Sequence, residues 1–130
     1  MIVVDASAVL EVLLVTPVGV RVGERIFAPG EALHAPHLLD VEVAQVLRRL
    51  LLAGDLTAGR GQEALEDLAD LRLTRHPHRP FLARIWELRH NVTAYDAAYV
   101  ALAEALGAPL LTCDAPLARS AGHTARIELL

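Results

Sequence analysis

The sequence predicts an α/β fold in which a short parallel sheet is flanked by helices, and three observations point to it. Ile2-Val3-Val4 and Leu110-Leu111 are short apolar runs without the alternation of a half-exposed strand. Segments of helical periodicity separate the short apolar stretches, as in a parallel sheet covered on both faces. The first run ends in Asp5, and the second is followed closely by Asp114. Such sheets hold their ligands at the carboxyl ends of the strands.

Ile2 to Val4 is the first strand, an apolar β-branched run suited to burial on both faces. Ala8 to Leu14 reads as a short helix and Pro17 to Phe27 as a second, closed by the turn signal Ala28-Pro29-Gly30. A short strand is expected around Leu33 to Ala35. Leu39, Val43, Val46, Leu47 and Leu50 then recur at helical spacing, with Asp40 as the expected N-cap and an end near Gly54. Gln62 to Leu71 carries leucines among acids, the pattern of a helix with a solvated face, and Leu71 to Thr74 suits a strand. After Pro77 and Pro80, Phe81, Ile85 and Leu88 mark an amphipathic helix. A longer one runs from Ala94 to Leu106 and stops at Gly107. Leu110 and Leu111 form the next strand, and Thr124 to Leu129 supplies a last one.

The chain has 130 residues, the size of one domain, and residues 1–130 show neither repeat nor linker. Hydrophobic residues make up 54% and charged residues 22%, which argues against disorder. Asp5 and Glu11 break the apolar opening, which has no basic leader, so neither a signal peptide nor a membrane span is expected and the cytoplasm is the expected location. Cys113 stands alone, which rules out an internal disulfide and cysteine-rich zinc modules; it is expected as a small buried hydrophobe. The net charge of −4 offers no general attraction for nucleic acid, yet leaves room for a basic groove beside an acidic, cation-filled site. All 12 basic residues are arginines. Lysine-dependent P-loop and Schiff-base chemistries are thereby excluded.

Four acids stand at informative places: Asp5 and Asp114 after strands, Glu42 and Asp96 in the first turns of helices. Each also has a structural explanation. Asp5 and Asp114 suit helix N-caps, Glu42 favours a helix dipole, and Thr93 to Asp96 fits a capping box. Asp96 fits its structural role least well, because Tyr99, Val100 and Ala103 place it in line with an apolar stripe and so turn it inward. Carboxylates gathered at one sheet edge would repel by up to about 4 kcal/mol per close pair at an effective dielectric of about 20. Divalent cations would relieve that repulsion, and oxygen-only ligands favour magnesium or manganese over zinc.

The stretches "VVDASAVL", "DVEVAQVLRRL" and "VTAYDAAYVALAEALGAPLLTCD" together resemble the PIN-domain ribonucleases, and among them the VapC-type toxins of bacterial toxin–antitoxin pairs. The resemblance covers nearly the whole chain, and the last stretch is its most specific part. It implies a three-layer α/β/α fold and an acidic pocket for Mg2+ or Mn2+ made by Asp5, Glu42, Asp96 and Asp114, with Asp5 and Asp96 as principal ligands. Ser7 and Thr112 are implied as assisting hydroxyls. It further implies hydrolysis of RNA phosphodiester bonds, a cognate VapB-like antitoxin and a homodimer formed through apolar helix faces. Arg48, Arg49, Arg84 and Arg89 are candidates to hold RNA phosphates.

Rival readings are weaker. His34 with His37 and His76 with His78 suggest zinc, but they are expected in proline-containing loops and lack both helical HExxH spacing and companion cysteines. A phosphohydrolase or receiver-like site would need a second acid where Ser7 stands, or a lysine. Base-stacking RNA recognition is disfavoured because Phe27, Phe81, Trp86, Tyr95 and Tyr99 are the only aromatics, and most are expected in the core. The remaining alternative is a PIN-like protein that serves mainly as an antitoxin-bound partner, with little or no nuclease activity.

Overall fold

The computed structural model describes residues 1–130. Five strands form one sheet in the order β3-β2-β1-β4-β5, with every neighbouring pair parallel. The strands are β1 (Ile2–Val4), β2 (Leu33–Pro36), β3 (Thr74–His76), β4 (Leu110–Thr112) and β5 (Ile127–Leu129). The helices are α1 (Ala6–Leu13), α2 (Pro17–Ile26), α3 (Leu38–Leu52), α4 (Ala58–Asp70), α5 (Leu82–Glu87), α6 (Ala94–Leu106) and α7 (Ala115–Ala118). A short 3-10 turn, Arg79–Phe81, precedes α5.

The central strand is the most apolar one. Ile2, Val3 and Val4 are each 0% exposed, as β-branched side chains between two helical layers should be. Burying each contributes about 1.5–3 kcal/mol. Right-handed crossovers from β1 to β2 and from β2 to β3 carry α1 to α4 over one face, and the return from β3 to β4 carries α5 and α6 over the other. Helix packing agrees: α1 meets α2, α3 and α4, while α6 lies on β1, β2 and β4 and meets α5. The order reverses at β1, whose neighbours β2 and β4 are reached on opposite sides, so the crevice at the carboxyl ends of β1 and β4 is a topological switch point.

Several boundaries differ from the sequence-based expectation. α1 begins at Ala6, not Ala8, because the Asp5 carboxylate accepts from the Ala8 amide at 3.0 Å and caps the helix directly after the strand. α3 begins at Leu38, and Asp40 is not its cap; Arg75 takes both Asp40 oxygens, at 2.7 and 2.9 Å. α4 starts at Ala58 under a Thr57 cap, earlier than Gln62. β3 is Thr74–His76 in place of Leu71–Thr74, in register with His34 to Pro36 of β2. α6 runs from Ala94 to Leu106 as expected, between the Thr93 cap and Gly107 at φ +60°. No single helix is long and apolar enough to cross a membrane.

Candidate functional site

The switch-point crevice opens into a cavity of about 650 Å³ whose wall includes Asp5, Glu42, Asp96 and Asp114. β1 delivers Asp5, the first turn of α3 delivers Glu42, the first turn of α6 delivers Asp96, and β4 leads into Asp114. All four acids singled out from the sequence thus reach one pocket. The structural roles hold as well: Asp114 accepts from the Leu117 amide at 3.2 Å to cap α7, and Thr93 accepts from the Asp96 amide at 3.2 Å. Capping of α1 by Asp5 and of α7 by Asp114 therefore holds these two acids at the strand ends and does not compete with the site.

Asp5 is the most enclosed, at 5% exposure. Ser7 Oγ donates to its Oδ1 at 2.7 Å and the buried Thr112 hydroxyl donates to its Oδ2. Ser7 in turn accepts from the Cys113 amide, and Thr112 from the Asp114 amide, both at 2.9 Å. The two hydroxyls tie β4 to the β1 terminus through this carboxylate. On the far wall, Tyr99, 1% exposed, donates from its hydroxyl to Glu42 Oε1 at 2.6 Å.

The electrostatics are those of crowded acids. Burial raises the proton affinity of Asp5 against the donors that stabilise its charge, and the nearby Asp114 adds to the rise. Glu42 is raised by burial and by the charges of Asp96 and Asp5, against the Tyr99 bond. Asp96 is raised by burial, then by Asp114 and Asp5. None of the molecule's ion pairs includes any of these acids. As the side chains stand, no three His, Cys, Asp or Glu residues are drawn together tightly enough to hold a metal ion.

The family now has direct support. The PIN domain family matches residues 2–122. Ribonuclease VapC12 of Mycobacterium tuberculosis is 45% identical over 130 residues, covering 100% of this chain and 99% of that protein. The chain belongs to the VapC-type PIN domains. Among solved structures, VapBC2 from Rickettsia felis, bound to a DNA fragment from its promoter, superposes with a TM-score of 0.69 at 14% identity, covering 99% of this chain and 98% of that one. Mycobacterium tuberculosis VapC20, described as a Sarcin-Ricin loop cleaving toxin, gives a TM-score of 0.63 at 18% identity over 95% of this chain and 97% of that one. Both have the three-layer α/β/α fold seen here.

Other expectations for this PIN domain need correction. His34 lies within β2, in the strand expected around Leu33 to Ala35, while His76 ends β3 and is not in a loop, and His34 Nδ1 meets His76 Nε2 at 2.9 Å. Trp86, Tyr95 and Phe27 are exposed, so of the aromatics only Tyr99 is fully buried. Phe81 packs against the core while partly exposed. Cys113 is only partly buried; burial above all, and then the Asp5 charge, push its thiol up to about 11. Of the four candidate arginines, Arg49 alone lines the acidic pocket. Arg84 is held by Glu104 and Glu87, Arg89 stacks 4.8 Å from the Trp86 ring, and Arg48 borders a smaller groove between α3 and α4. Tyr99 was legible only as a core residue, since helical spacing shows which face it occupies and not where its hydroxyl points.

Proposed function

We propose that this chain is a metal-dependent endoribonuclease, the toxin of a VapBC-type pair, hydrolysing RNA phosphodiester bonds in the four-carboxylate pocket. The convergence of Asp5, Glu42, Asp96 and Asp114 on one cavity, with no ion pair to offset their charge, carries the reading. An all-oxygen donor set whose members raise one another's proton affinity fits Mg2+ or Mn2+. Asp5 and Asp96 would be the principal ligands, with Glu42 and Asp114 completing the set and Ser7 and Thr112 orienting Asp5. Bound there, the cation would lower the pKa of water and offset charge developing on the phosphate and the leaving 3′ oxygen.

The chain's own groups supply the rest. Arg49, on α3 and free of acid partners, is placed to hold a substrate phosphate at the pocket wall. Leu10, Leu38, Val41 and Val46 give the same pocket an apolar wall. No protein nucleophile is required: the Ser7 hydroxyl is committed to Asp5, and the Cys113 thiol is protonated at neutral pH. Water therefore adds to phosphorus as the bond to the 3′ oxygen breaks, leaving a 5′ phosphate and a 3′ hydroxyl. The complete acid set favours catalysis over a role purely as a binding partner.

VapC20 is described as cleaving the sarcin-ricin loop, and VapBC2 as a complex; these descriptions support an RNA substrate and a VapB-like antitoxin for this chain. We place it in the cytoplasm, as a homodimer through apolar helix surfaces such as the α3–α4 groove lined by the exposed Leu51 and Leu65. Sedimentation at tens of micromolar tests the dimer, and a monomer there overturns it. The decisive assay exposes a mixed tRNA and ribosomal RNA pool to antitoxin-free protein with manganese. Discrete fragments that vanish with a chelator and with Asp96→Asn are expected. Persistent cleavage by Asp96→Asn would remove the pocket from the mechanism.

A further inference from the structure

Tyr99 follows Asp96 by three residues on α6, so one helix brings both to the pocket. Its ring is buried in the core, and its Oη crosses from α6 to α3 to donate to Glu42 Oε1 at 2.6 Å. These helices cover opposite faces of the sheet and meet here, at the carboxyl end of the strands. A buried tyrosine hydroxyl requires a partner, and Glu42 Oε1 is the acceptor it meets here. Asp5 has two side-chain hydroxyls to fix it, whereas Glu42 has only this one. A glutamate has one more rotatable bond than an aspartate, so without the phenol its carboxylate would sample several positions in the cavity.

We propose that Tyr99 is a positioning residue for the cation site: it pins Glu42 through Oε1 and leaves Oε2 as the oxygen offered to the metal. The inference rests on the metal-pocket reading above and adds a residue that acts only through Glu42. Groups that orient metal-ligating side chains typically contribute about 10–100-fold in metal affinity. A phenylalanine fills the same space without the hydroxyl, so the substitution isolates the hydrogen bond.

The test is calorimetric titration of manganese into wild type, Tyr99→Phe, Glu42→Gln and the double variant, with thermal melting in chelator alongside. Tyr99→Phe is expected to weaken manganese binding by about 10–100-fold while remaining folded. The double variant should bind no more weakly than Glu42→Gln alone, because Tyr99 has nothing left to position. A Tyr99→Phe affinity within twofold of wild type overturns the inference and leaves the metal reading standing, as does an additive loss in the double variant. Wild-type protein that takes up no manganese overturns the metal reading itself. A merely structural Tyr99 would lower the melting temperature in chelator without moving the manganese affinity.

Discussion

Asp5 does two things with one carboxylate. It caps α1 through the Ala8 amide and faces the cavity with both oxygens already held by hydroxyls, so its position does not depend on a bound ion. Asp96 differs, since its amide donates to Thr93 and that threonine is the one side chain that stabilises its carboxylate charge. Burial and two neighbouring acids raise its proton affinity, so its charge disfavours the metal-free fold. Asp96→Asn should therefore melt higher than wild type in chelator and lose most of the gain from manganese. That gain is about 2.7 kcal/mol at about 100 times the dissociation constant. Equal manganese-induced shifts in both proteins would show that Asp96 is not a ligand. The acids were legible in the sequence because each stands where a strand or helix turn fixes its backbone. The Tyr99 bond and the His34–His76 contact were not, because side-chain direction across elements is set by packing between segments distant in sequence.

At the scale of elements, two glycines separate conformational from steric demand. Gly107 ends α6 in the left-handed region at φ +60° with open space where a Cβ would stand. Gly107→Ala should cost about 1 kcal/mol, read by urea denaturation. Gly19 lies in α2 where a Cβ would sit 2.1 Å from the Glu11 carbonyl oxygen, so α1 and α2 can approach this closely only without a side chain there. Gly19→Ala should cost more, about 1–3 kcal/mol or above, because backbone must move to make room. An equal cost at the two positions would contradict the close approach. α6 was fully legible because Thr93 and Gly107 mark its ends. The first turn of α3 was hidden because its cap, His37, makes no side-chain bond, and that of α4 because Gly59 and Gly61 depress helix propensity. β3 carries Thr-Arg-His at the sheet edge and has no apolar run to announce it; only pairing with β2 defines it.

For the whole molecule, two groups of carboxylates set opposite pH dependences. Glu31 is lowered by the N-terminal ammonium and Arg25, and Glu104 by Arg84, so their contribution is present above the ordinary carboxylate range and is lost as pH falls through their folded values. Asp5, Glu42 and Asp96 are raised, so the fold loses stability as pH rises from the ordinary range through their folded values. His34, whose proton affinity is lowered first by burial and then by His76, opposes this by adding stability as pH rises through the histidine range, so the loss due to the pocket acids is confined to the interval between the ordinary carboxylate range and neutrality. Under the proposed metal reading, saturating manganese should remove the loss that the pocket acids cause across that interval, because acids that bind a cation must be charged; melting temperature against pH with chelator and with manganese measures both curves. A metal-free Asp96→Asn curve that matches wild type across that interval would mean that Asp96 does not destabilise the fold. The sheet topology also bears on biosynthesis. Asp5 and Asp114 meet only when β4 docks beside β1, and β4 follows every other strand except β5 in the chain. A nascent chain that has not yet exposed β4 to the solvent outside the ribosome has no assembled four-acid pocket, so the activity proposed for that pocket must wait until most of the chain has been made.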